Sequence, residues 1–142
     1  MATDPISGTR SRVTPEGALS VAPHPVAATP VVASSGVVAN AAAAASIAAV
    51  AGKTSYLSGF QCSALGATAL ANVTVTVAGA AGGTLSYKFQ FPAGVTVLAA
   101  LLNVVFDPPI AASAPNTAIT VTLPAGGAGN TDAITNAQGF QL

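Results

Sequence analysis

Between residues 84 and 91 the chain alternates without a break. Leu85, Tyr87, Phe89 and Phe91 occupy every second position, and Thr84, Ser86, Lys88 and Gln90 fill the others. Successive side chains on an extended strand point to opposite faces, so this period of two dictates a β-strand with one buried and one wetted face. Four of the seven aromatic residues (Phe60, Tyr87, Phe89 and Phe91) lie here or on the expected neighbouring strand. Aromatic side chains bury the most area each, so the core is expected beneath this strand.

The same period recurs along the chain. Residues 72–77 place Val73, Val75 and Val77 on one face and Asn72, Thr74 and Thr76 on the other. Residues 117–123 do likewise with Ile119, Val121 and Leu123. Residues 56–62 put Tyr56, Phe60 and Cys62 on a common face, and residues 134–142 supply a last strand. Glycine and proline punctuate these runs. Residues 79–83 read as a hairpin loop, Pro92 and Gly94 break the aromatic strand, and Pro124 closes another. Residues 95–106 hold one or two strands, which Asp107, Pro108 and Pro109 are expected to end. Six to eight short strands result, and the expected fold is all-β, an antiparallel β-sandwich or jelly-roll-like domain over residues 37–142.

Residues 37–51 are dominated by alanine and admit two conformations. A helix capped by Asn40 and Gly52 is one. A strand over residues 46–51 that hairpins into residues 56–62 is the other, and the reading adopts it.

Residues 1–36 have a different character. Five of the ten prolines and half of the eight charged residues fall there. Proline fixes φ and removes a backbone donor, which excludes helix and central strand. The segment is expected to be an extended N-terminal arm. Val13, Leu19, Val21 and Val26 give it apolar anchors, and Arg10 and Arg12 are its basic pair. These six residues are the candidate partner-binding set.

The chain of 142 residues carries 4 basic and 4 acidic residues and no net charge. Nucleic-acid binding requires clustered Lys and Arg, so no nucleic-acid partner is expected. A charge-poor surface of Ala, Thr, Ser, Asn and Gly suits a protein whose neighbours cover it in a repeating assembly. Residues 31–52 are uncharged and long enough to span a bilayer, but they are mostly alanine with interspersed Ser and Asn and no aromatic belt, so no membrane segment is expected. The start lacks a basic region followed by an apolar run, and no secretory leader is expected. That makes Asn72-Val73-Thr74 a coincidental match to the glycosylation pattern.

Catalytic chemistry finds little to stand on. His24, the single histidine, sits between Pro23 and Pro25 in the arm, where no pocket preorganises it. Gly52-Lys53-Thr54 resembles the end of a phosphate-binding loop, but Ile47 stands where that loop needs glycine. Asp107 and Asp132 are the only carboxylates after residue 36. Cys62 is the single cysteine, so no intrachain disulfide forms, and its apolar setting predicts a buried, inert thiol. No enzyme activity, metal or cofactor is expected.

The run 52–60 (Gly-Lys-Thr-Ser-Tyr-Leu-Ser-Gly-Phe), the strand 82–87 and the ending 115–121 with Gly129, Asn130, Thr131, Gly139 and Phe140 resemble small structural proteins of tailed bacteriophages, such as capsid decoration proteins and head or tail fibre subunits. The resemblance covers about residues 40–142. It implies a virion protein, often trimeric, seated on the major capsid protein at the particle surface. The arm would then dock on capsid or neighbouring subunits. A fibre or cell-surface adhesin module, binding through the loops at residues 79–83 and 125–130, is the alternative.

Overall fold

The fold was analysed in a computed structural model that describes residues 12–13, 19–20, 27–94 and 100–142. Ten strands follow in order: β1 (Arg12–Val13), β2 (Leu19–Ser20), β3 (Thr29–Ser34), β4 (Ala43–Ile47), β5 (Ser55–Leu65), β6 (Ala71–Ala78), β7 (Leu85–Phe91), β8 (Ala100–Ala111), β9 (Ile119–Leu123) and β10 (Asp132–Gln141). β1 and β2 pair with each other. The remaining eight form two four-stranded antiparallel sheets, β3-β10-β5-β8 and β4-β9-β6-β7. No described residue is helical.

The strand order encodes how the chain is wound. β3 pairs with β10, β4 with β9, β5 with β8 and β6 with β7. The first strand of the eight thus meets the last, the second the seventh, and so inward to the β6–β7 hairpin. This is one long antiparallel ribbon rolled into two facing sheets, the jelly-roll topology. The all-β sandwich expected from the alternation is the fold found.

The core lies between the sheets. Ile119, Val121 and Leu123 of β9 and Val75 and Val77 of β6 are fully buried and face Leu57, Phe60 and Cys62 of β5. Small residues let the sheets approach at one end: Ala43 and Ala45 of β4 and Ala133 and Ala137 of β10 are all buried. Phe91 and Phe89 fill the other side, with ring centroids 5.4 Å apart in an edge-on contact.

Five expectations need amendment. The aromatic strand is an edge, β7, and only its Phe89 and Phe91 end is buried, so the core is centred on β9, β6 and β5. The alanine run is a strand, but over Ala43–Ile47, and it pairs with β9 rather than hairpinning into β5. Its Ala43, Ala45 and Ile47 face the core, and that burial overrides alanine's helical preference. β8 does not end at Asp107-Pro108-Pro109 but continues to Ala111. It is an edge strand, where the missing proline donors face outward. Tyr56 does not share the face of Phe60 and Cys62. Ser58 is an extra residue opposite the Gln138/Gly139 step, and this bulge reverses the facing, so that Leu57 enters the core and Tyr56 stacks on Phe140 at 4.8 Å. The last residues read as arm, Thr29–Ser34, are an edge strand, which accommodates Pro30.

Candidate functional site: a carboxamide groove on the outer sheet face

The outer face of the β3-β10-β5-β8 sheet carries a cross-strand row. Ser34 of β3 lies opposite Asn136 of β10, Asn136 opposite Gln61 of β5, and Gln61 opposite Asn103 of β8. The next row runs Val32, Gln138, Gly59, Val105. These positions face outward because their neighbours Ala33, Ala137, Phe60 and Val104 turn toward the core.

The two rows define a groove of about 640 Å³. Its walls are the edge strands, where Val32 and Val105 stand 85% and 69% exposed. Between Gln138 and Val105 the second row holds Gly59, which carries no side chain. A Cβ there would meet the Val104 carbonyl oxygen at 2.7 Å, and the Gln138 Nε2 lies 3.6 Å from the same point. Glycine is therefore required by the close approach of β8, while the Gln138 amide lies in ordinary contact range of that point.

The groove is neutral and polar at its base. None of the residues lining it is charged. Gln61, Asn103, Asn136 and Gln138 make no side-chain hydrogen bond to any described residue. Each carboxamide offers two N–H donors and a carbonyl acceptor. Four of them together match a neutral ligand with both donors and acceptors: a peptide main chain or a polyol.

Of the expected partner-binding residues, Arg12 and Val13 lie on β1 and Leu19 on β2, with Arg12 opposite Ser20 and Val13 opposite Leu19. Arg10, Val21 and Val26 lie outside the described residues. The groove residues were not among those expected. A signal was present: Gln61, Asn103, Asn136 and Gln138 occupy the polar phase of alternating strands, but which strands would adjoin was not readable.

The loops proposed for recognition lie at opposite ends of the sandwich. Residues 79–83 join the β8–β9 connection through the Ala80–Ala112 bridge. Residues 125–130 pack instead on the β5–β6 connection, where the buried Asn130 donates from Nδ2 to the Leu65 carbonyl at 3.0 Å. One tip does not hold both.

Cys62 is fully buried, and its Sγ lies 3.6 Å from the Thr135 hydroxyl. Burial pushes its pKa up, and the hydrogen bond to Thr135 opposes this only in part. Among the described residues no three His, Cys, Asp or Glu side chains come together in a metal-binding group, and no helix is long and apolar enough to cross a membrane. No protein-family model, curated protein or solved structure matches this chain.

Proposed function

We propose that this chain is a non-enzymatic structural subunit of a virion, a decoration protein that sits on the major capsid protein and on copies of itself at the capsid surface. The observation that carries the reading is the outer face of the β3-β10-β5-β8 sheet. It is uncharged around the groove, and Val32, Leu101 and Val105 project from its edges into solvent. Exposed apolar side chains grouped on one face mark an interaction surface. Only Lys53, Lys88, Asp107 and Asp132 carry charge after residue 36, so little repulsion opposes close packing of copies. The jelly roll is an architecture of viral capsid proteins, and it supports the reading as an analogy of fold. Many weak contacts repeated by symmetry then sum to a stable shell. Trimers are the expected unit.

Jelly rolls also serve as lectin domains, and a carboxamide groove suits saccharide hydroxyls. A fibre or adhesin module is therefore the second reading. Quantitative peptide mass spectrometry on purified particles from the source of the sequence separates the two. Hundreds of copies per particle are expected for a decoration protein. A handful would transfer it to a fibre, and complete absence would refute a virion role.

A further inference from the structure

We infer that the carboxamide groove of one copy receives residues 21–26 of a second copy, Val-Ala-Pro-His-Pro-Val, which makes the groove a self-assembly site. This rests on the assembly reading above and names the contact that builds it.

The chemistry of the segment fits the groove. It carries no formal charge with His24 neutral, and the groove lining carries none. Proline fixes φ near the polyproline value, and a main chain in that conformation makes no internal hydrogen bonds. Pro23 and Pro25 also lack N–H groups, so the segment has more acceptors than donors. Side-chain amides that donate into it supply what it lacks. Gln61, Asn136 and Gln138 stand along the groove with their N–H groups uncommitted to any described residue.

The dimensions agree as well. Val32 and Val105 lie on strands three spacings apart, about 14 Å at roughly 4.8 Å per spacing. Val21 and Val26 are five residues apart, about 15.5 Å in a polyproline helix rising roughly 3.1 Å per residue. A segment laid across the strands therefore sets one valine against each exposed wall while its prolines cross above Gly59.

The tether decides whose segment it is. Val26 precedes Thr29, the first residue of β3, by three residues, which reach at most about 10 Å. Val32 lies three residues along β3, also about 10 Å away, and a segment packed over it stands several ångströms above the sheet. Three residues do not carry a chain's own Val26 both that distance along β3 and up over the face, so it falls short of a seat above its own groove wall. The second copy is free of this restraint. An arm-to-groove contact is head-to-tail, so it closes into a ring such as a trimer or propagates.

The test is sedimentation velocity of the full chain over a concentration series. The wild type is compared with Gln61→Lys, the pair Pro23→Ala/Pro25→Ala, and all three changes together. Gln61 is exposed on the outer face, and circular dichroism melts verify that the variant folds. Wild type is expected to associate. Each variant is expected to weaken association roughly tenfold or more, with the combined variant no weaker than either because both remove one contact. A monomeric wild type, or association that Gln61→Lys leaves unchanged, overturns the inference. So does a saccharide array on which the wild type binds and Gln61→Lys does not, while sedimentation is unaltered. Copy number on particles is read separately. A Gln61→Lys protein that still decorates particles in hundreds of copies would sink the groove contact and leave the decoration role standing.

Discussion

Replacing Gly139 with alanine tests whether the pairing of β10 beside the β5 bulge is held by space rather than by backbone torsion. Gly139 lies opposite Leu57 of β5 and Val31 of β3, just past the register shift at Gln138. Its φ is not in the left-handed region, so an added Cβ strains nothing by torsion. The obstacle is contact. The Cβ would overlap the Tyr56 carbonyl oxygen, sit 2.9 Å from its carbon, and approach Ile47 Cδ1 to 3.1 Å. The first two atoms are backbone in the paired strand and can yield only if β5 and β10 separate. One or two ladder hydrogen bonds then weaken, at about 0.5–1.5 kcal/mol each. Overpacking adds about 1–3 kcal/mol. The stiffer unfolded chain returns about 0.4–1 kcal/mol. The expected net loss is about 3 kcal/mol, a large share of the roughly 5–15 kcal/mol that holds a domain together. Urea unfolding followed by circular dichroism measures it. With a slope of about 1.5 kcal/mol per molar, the midpoint falls by about 2 M. Gly36→Ala is the control, because Gly36 has φ of 65° with nothing within 4 Å of its Cβ. That variant should lose only the torsional cost, about 1 kcal/mol. Gly139→Ala within about 0.5 kcal/mol of wild type, or less damaging than Gly36→Ala, would refute the steric account.

Other expected outcomes follow from individual side chains. Phe91→Ala removes a fully buried ring and should cost about 3–5 kcal/mol. Gly126→Ala, whose Cβ would lie 2.7 Å from two Phe91 ring carbons, should do less harm in that background than in wild type, as a double-mutant cycle by urea unfolding would show. Gln141→Ala abandons the Ala48 carbonyl and the buried Ser55 hydroxyl, to which its Nε2 donates at 2.7 and 3.1 Å, and should lower stability by about 1–3 kcal/mol in the same assay. Cys62 should resist alkylation in the native protein and react only as the chain unfolds. Because burial raises its pKa in the fold, the unfolded thiol ionises first as pH rises through its ordinary value of 9.0. The folded state then holds more protons, so stability should fall with increasing pH above about 9, and Cys62→Ala should flatten that slope in thermal melts.

The groove owes its chemistry to the absence of two things usual on sheet faces. No charged side chain lines it, and Gly59 leaves the central strand bare. The edge strands beside it are blunted by proline, at Pro30 on β3 and at Pro108 and Pro109 on β8. Proline removes donors from a strand edge and discourages edge-to-edge pairing.

Alternation determined most of the strands by itself. Ile119, Val121 and Leu123, and likewise Val75 and Val77, are buried as their period of two requires, because facing is fixed by the local backbone of each strand. The β6–β7 hairpin was equally legible, since its strands and loop are contiguous. Tertiary structure decided everything that depended on a distant partner. The alanine run became β4 because β9 and the opposite sheet bury Ala43, Ala45 and Ile47. Tyr56 turned outward because a single extra residue, Ser58, is accommodated against β10, and alternation carries no record of such a slip. Ser34, Gln61, Asn103 and Asn136 formed a row only because the rolled ribbon set four separated strands side by side. Their polarity was local information, but their adjacency was not, since pairing is chosen by the burial of the whole sheet rather than by any one segment.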